Sequence, residues 1–233
     1  MSFPQIVTRA EWVSAREDLL AKEKAVTRAR DALNAERRRL PMVEVRTEYV
    51  FDGADGALTL RDLFEDRDQL IVLHFMFAPE WESGCVGCSA FLDQIGNLAH
   101  LRARSTAFVA VSRAAFTRIL PFQARMGWAV PWYSSGRCDR DADFNTDFGA
   151  TVREGGRLVE RSGVSCFLRH GERLFHTYST TERGLDGLGS TASLLDLTAL
   201  GRQEEWEEPP GRGLGHGARD GGGWLRYHDE YED

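Results

Sequence analysis

The chain has 233 residues, 42% of them hydrophobic, enough for one large core that needs no disulfide staples. Its formal net charge is −7 and no basic stripe runs through it, which argues against a duplex-binding surface. The longest apolar run, 70–78, is interrupted by His74 and is far too short to span a bilayer.

The first residues, MSFPQIVTRAEW, hold no apolar stretch of signal-peptide length. A cytoplasmic protein is therefore expected, with no nucleic-acid or membrane partner. Residues 8–40 read as a helix. Thr8 and Glu11 match a capping box, and Pro41 supplies the stop. Trp12, Leu19, Val26, Leu33 and Leu40 recur every seven residues, one narrow apolar seam on a helix about 50 Å long. The positions between them, Ala15, Lys22, Ala29 and Glu36, make a poor second seam. Docking on the body of the protein or on a partner subunit, with a homo-oligomer as one outcome, is expected over a free coiled coil. Arg37, Arg38 and Arg39 sit beside acids and read as a solvated face.

Val43, Val45, Tyr49 and Phe51 alternate as in a half-buried strand. Two Asp-Gly pairs in DGADGALTL, with a short strand at 57–60, predict a hairpin. LIVLHFMF at 70–77 is the near-continuous run of a central strand buried on both faces. A helix is expected from about Cys85 to Arg104, then a second buried strand at 106–112. RAAFTRILPFQARMG reads as a helix interrupted near Pro121, and WAVPWYSS as a short strand. GRCDRDADFNTDFGA is a polar loop. GVSCFLR and RLFHTYS form a hairpin turning through Gly171, and GLGSTASLLDLTAL a helix. Residues 201–223, rich in Glu, Gly and Pro, read as a surface loop. The expected organisation is a helix at 1–41, a domain at 42–200 and a loop-rich extension at 201–233 packed on it. Strand–helix–strand requires a parallel pair, and the late hairpin adds antiparallel strands. The fold class is α/β, a mixed central sheet with helices on both faces.

The chemistry centres on APEWESGCVGCSAF, residues 78–91, where Cys85 and Cys88 stand two residues apart. Cytoplasmic thiols stay reduced, so a close pair points to redox chemistry or a metal. The chain has four cysteines. The other two, Cys138 and Cys166, are isolated, which weakens structural zinc. DRDADFNTD lacks the central Gly and terminal Glu of a calcium loop. GRGLGHGARDGGG has neither the preceding strand nor the Lys of a phosphate loop.

A buried strand, a Cys-x-x-Cys opening a helix, a further strand and helix, and a late hairpin resemble the thioredoxin fold, with a peroxiredoxin-like lead-in. The strings HFMFAPEWESGCVGCSAF, DFNTDFG, FHTYST, RGLD, DLTALGR and RYHDEY resemble a bacterial thioredoxin-like family described as predicted dithiol–disulfide oxidoreductases. Three departures stand out. Ser165 occupies the place of the usual Pro before the last hairpin. Pro79, Ser83 and Cys85 do not reproduce the peroxiredoxin spacing. His74 stands where a carboxylate is often buried.

The resemblance implies a thiol–disulfide oxidoreductase that needs no cofactor and acts on a thiol or disulfide, protein or small molecule. At a helix start Cys85 is the nucleophile, among unpaired N–H groups that favour a thiolate. Cys88 resolves the mixed disulfide. Gly87 keeps the sulfurs approachable, whereas Glu80 and Glu82 oppose a thiolate if they face it. Trp81 is a candidate shield. His74 and Tyr178 are candidate proton relays. A second reading is a copper ion held by Cys85, Cys88 and His176, since two thiolates and one imidazole suit Cu(I). A third is a non-catalytic interaction module. Cys166 reads as a plain buried thiol, and Cys138, among Asp139, Asp141 and Asp143, as inert.

Overall fold

The computed structural model describes residues 5–136 and 143–211. Cys138, the glycine-rich run after residue 211 and the closing RYHDEY segment lie outside the described residues. Helix α1 spans Arg9–Arg37 and carries the expected capping box. Thr8 Oγ1 accepts the Glu11 N–H, and the Glu11 carboxylate accepts the Thr8 N–H. Its seam does not dock on the body: Trp12, Leu19, Val26, Leu33 and Leu40 are between 48% and 61% exposed. The C-terminal turn is what holds the helix, through buried Asn34, Ala35 and Arg38. Arg37 donates to the Asp196 carbonyl at 3.0 Å, and Arg38 pairs with Glu207 at 3.0 Å. Arg38 is thus buried, not part of a solvated face.

The single strand expected over 43–51 is two. β1 (Val43–Glu44) lies at one edge of the main sheet, and β2 (Val50–Gly53) near the other. The chain between them crosses one face of the sheet, where Tyr49 is buried and its hydroxyl donates to the Asp147 carboxylate at 2.6 Å. The Asp-Gly hairpin is present, β2 pairing with β3 (Gly56–Thr59). β4 (Gln69–His74) is buried at every position, as expected of a central strand.

The helix expected over 85–104 is broken into α2 (Val86–Leu92) and α3 (Ala99–Arg102). Gly96 and Asn97 fall in the break, and the Asn97 side chain caps α3 by accepting the Ala99 N–H at 2.8 Å. β5 is Thr106–Ser112, and α4 (Phe116–Met126) runs through Pro121 without interruption. The carbonyl that proline leaves without its helical donor belongs to Thr117, an exposed residue. β6 is Trp132–Ser134, and α5 (Phe144–Asp147) is capped by Asp143. β7 (Thr151–Glu154) and β8 (Arg157–Glu160) form a separate ribbon. β9 (Gly163–His170) and β10 (Arg173–Thr181) are the expected late hairpin. The last helix, α6, is confined to Thr191–Leu195, because Gly189 takes φ +135° and Ser190 caps the start.

Among the described residues the main sheet has eight strands in the order β1-β10-β9-β4-β5-β6-β2-β3. β4 runs parallel to β5, and β9 runs antiparallel to β4. The inner run β10-β9-β4-β5, with α2 in the crossover from β4 to β5, is the thioredoxin arrangement. The α/β class therefore holds. Two cores lie on opposite faces. Ile71, Leu73 and Phe75 join Cys88, Ile119 and Leu194 on one. Leu70 and Val72 join Phe51, Phe144 and Phe167 on the other. Each fully buried side chain of this size contributes about 1.5–3 kcal/mol.

Candidate active site

The cysteine motif leaves β4 at its carboxyl end. Gly84 packs so closely under two rings that a Cβ there would lie 2.6 Å from Phe75 and 2.9 Å from Phe122. Only glycine lets the chain turn at that point. The Cys85 N–H then donates to the Met76 carbonyl at 2.9 Å, and the Cys85 carbonyl accepts the Ser89 N–H at 2.9 Å. Cys85 is accordingly the N-cap residue of α2. Its side chain is half-buried, whereas Cys88, one turn on, is 3% exposed.

The two thiols are free and unequal. Burial pushes the Cys88 thiol up to about 12. A backbone bond from Met76 pulls it down, while the neighbouring Cys85 and the Glu160 carboxylate add to the rise. Its thiol form is therefore the favoured one.

A cleft of about 420 Å³ runs beside α2. Gly87, Cys88 and Phe91 line one side, and Ser162, Glu182 and Asp186 the other. Ser162, not Ser165, lines the cleft beside Cys88. Glu182 takes φ +53° and donates its N–H to the Ser162 carbonyl at 3.1 Å, a strained turn beside the site. Glu80 and Glu82 are exposed, and Trp81 packs against the core.

Glu160 is a site residue that sequence reasoning missed. It ends β8, and its side chain is 8% exposed and paired with Arg113 at 2.7 Å. Burial raises its pKa, Arg113 opposes that, and Asp143 and Glu80 add to it. A usable signal was Gly155-Gly156, whose φ values of +55° and +82° suit a tight hairpin turn.

The histidines lie on the other face. His74 packs 5.4 Å from the Phe144 ring, and His176 lies 5.0 Å from Phe148 and 5.5 Å from Phe167. They are joined through two hydroxyls. His74 Nε2 is 2.8 Å from Ser165 Oγ, Ser165 Oγ is 2.7 Å from Ser179 Oγ, and Ser179 Oγ is 2.8 Å from His176 Nε2. On its far side His74 Nδ1 is 3.0 Å from Asn145 Oδ1. The Asn145 amide donates to Ser135 Oγ, and Ser135 donates to the Ser112 carbonyl. With the Asn145 amide nitrogen on Ser135, Asn145 Oδ1 accepts from the Nδ1–H of a neutral His74, and Ser165 donates to His74 Nε2.

Ser165, His74 and Asn145 thus stand in the order of a nucleophile, a base and an orienting amide. Ser165 is fully buried, so no substrate reaches its hydroxyl. Burial pushes His74 down to about 4, with the Asn145 bond opposing and His176 assisting. Burial also lowers His176.

The structure therefore brings Cys85 and Cys88 together, and His74 and His176 together, with the sheet between the pairs. The copper set of Cys85, Cys88 and His176 is not assembled. Among the described residues no group of three or more His, Cys, Asp or Glu is placed to hold a metal ion. His74 is likewise not placed to exchange a proton with Cys88. Tyr178 returns to the cysteine face because a bulge separates it from His176. It does not line the cleft, and Arg37 lies 4.8 Å over its ring. Cys166 is fully buried opposite Tyr178, and burial pushes its thiol up to about 12.

The buried, neutral His74 makes stability fall with acid. Its ordinary pKa is 6.5, and in the fold it is about 4. Between those values the unfolded chain binds a proton that the folded chain refuses, so stability drops as pH falls and levels below the lower one. A loss of about 3 kcal/mol is expected. Urea unfolding at neutral pH and near the folded pKa measures it. A His74→Gln variant that loses as much as the parent would refute the assignment.

Among the described residues no helix is long and apolar enough to cross a membrane. Residues 1–231 match the family described as "Bacterial protein of unknown function (DUF899)". No curated protein matches the chain. Several solved structures are distantly similar. Peroxidoxin BcpB from Mycobacterium tuberculosis matches 68% of this chain and 96% of its own, at 14% identity and TM-score 0.48. The bacterioferritin comigratory protein of Xanthomonas campestris matches 59% and 83%, at 17% identity and TM-score 0.44. A putative thiol:disulfide interchange protein DsbE from Chlorobium tepidum matches 66% and 99%, at 16% identity and TM-score 0.40. With its whole described length inside the family match, the chain belongs to the DUF899 family of bacterial proteins of unknown function.

Proposed function

We propose that the protein is a thiol–disulfide oxidoreductase in which Cys85 attacks and Cys88 resolves. The supporting observation is the asymmetry of the pair: a half-buried N-cap sulfur and, one turn on, a buried sulfur whose thiol form burial favours. The Cys85 thiolate attacks one sulfur of a substrate disulfide. That S–S bond breaks, a mixed disulfide forms, and the first substrate thiolate leaves and takes the Cys88 proton. Cys88 then attacks the Cys85 sulfur, and the second substrate thiolate leaves and is protonated by water. The protein dithiol is oxidised by two electrons and the substrate disulfide is reduced to two thiols. The reverse sequence oxidises a dithiol substrate.

The step needs no metal or cofactor. The copper reading is not kept, because His176 lies on the opposite face of the sheet from both sulfurs. Equilibration in glutathione buffers, followed by mass analysis of trapped thiols, tests the proposal. One reversible two-electron step joining Cys85 and Cys88 is expected. Absence of any such step would leave an interaction module.

A further inference from the structure

Among the described residues, the seam of α1 is an apolar feature that the fold leaves uncovered. Trp12 is 48% exposed, Leu19 51%, Val26 61%, Leu33 54% and Leu40 48%. The anchoring contacts all fall at the C-terminal turn, at Asn34, Arg37 and Arg38. The helix before that turn stands off the body with one apolar ridge facing water, and a lone helix is marginal without an apolar partner.

We infer that this ridge pairs antiparallel with the same ridge of a second copy of the chain. The charges flanking the seam choose that occupant and that direction. With the two helices centred on Val26, Leu19 meets Leu33, Val26 meets its own copy, and Trp12 meets the turn after α1 that carries Leu40. One flanking row carries Arg16, Glu23 and Arg30. There Glu23, which pairs with Arg16 of its own chain at 2.8 Å, meets Arg30 of the other copy. The opposite row carries Asp18, Ala25 and Ala32. There Asp18 meets Ala32, and Ala25 meets Ala25. Two-fold symmetry makes each charge pair twice. Lys22, the polar break in the secondary positions, lies over Ala29 with room for its stem. Arg37, which would face Arg16, is turned to its own body by Asp196 and Tyr178. A parallel pair would set Asp18 beside Glu23, like charge on like, with Glu11 beside Arg16, and would leave Arg30 beside Ala25.

The five seam residues are open in the single chain, so changing them does not disturb its core. Sedimentation of the full chain at micromolar concentration is expected to give twice the mass of one chain. Val26→Glu sets two carboxylates face to face and should raise the dissociation constant by roughly a hundredfold or more. Glu23→Arg should weaken the dimer, and Glu23→Arg with Arg30→Glu should restore it. In a background of Cys85→Ser and Cys88→Ser, Val26→Cys should cross-link on oxidation and Trp12→Cys should not. A monomer, a dimer indifferent to Val26→Glu, or efficient cross-linking through Trp12→Cys would each overturn the inference.

Discussion

Replacement of Cys85 by serine is expected to remove thiol exchange, a fall of roughly three orders of magnitude or more. A hydroxyl in its place is a far weaker nucleophile, and no other thiol in the described structure can substitute. Cys88 is 3% exposed and Cys166 fully buried, both with thiols pushed up to about 12. Cys88→Ser should behave differently. The half-buried sulfur of Cys85 remains, so the first step proceeds and the mixed disulfide accumulates for want of a resolving thiol. Mass analysis after a stoichiometric disulfide separates the two variants. Equal activity in Cys85→Ser and the parent would refute the assignment, as would a mixed disulfide that forms on Cys88.

Removing Glu207 is the substitution expected to cost most in stability, about 3–5 kcal/mol. Its side chain and that of Arg38 are 4% and 3% exposed, and their charged atoms lie 3.0 Å apart. Glu207→Ala removes the carboxylate that faces the buried guanidinium, whose Nε is bonded to the Glu208 carbonyl at 2.6 Å. The pocket is shaped for the pair. Gly201 sits at φ +68°, where a Cβ would lie 2.8 Å from Arg38 and 3.0 Å from Glu207. Since this pair helps hold the end of α1, loss of Glu207 should also free the helix. Replacing both partners by apolar residues of similar volume should recover most of the loss, because no unpaired charge then remains. Urea unfolding of the single and double variants measures both effects. A single variant within about 1 kcal/mol of the parent would show the pair to be less buried than this.

The inner sheet was legible in the residues because its strands are buried on both faces. Gln69–His74 and Thr106–Ser112 declare themselves as apolar runs, and Gly171 marks the late hairpin. The Cys85–Cys88 spacing located the dithiol by chemistry alone. Other features depend on contacts that no local pattern encodes. Val43 and Phe51 alternate in one stretch, yet the chain between them crosses from one sheet edge towards the other. Arg38 looked like a surface charge because its partner, Glu207, is far along the chain. His176 promised a metal ligand because the late hairpin lies close to β4. Which face its ring takes depends on a bulge between His176 and Tyr178, and a bulge leaves no mark in a period-two pattern.

The most direct test is the rate at which each thiol of the reduced, native chain reacts with iodoacetamide, followed peptide by peptide. Cys85 is half-buried, and Cys88 is buried with its thiol form favoured. Cys85 should be alkylated first, with Cys88 slower by roughly a hundredfold. Equal rates, or faster reaction at Cys88, would contradict the assignment of Cys85 as the attacking sulfur.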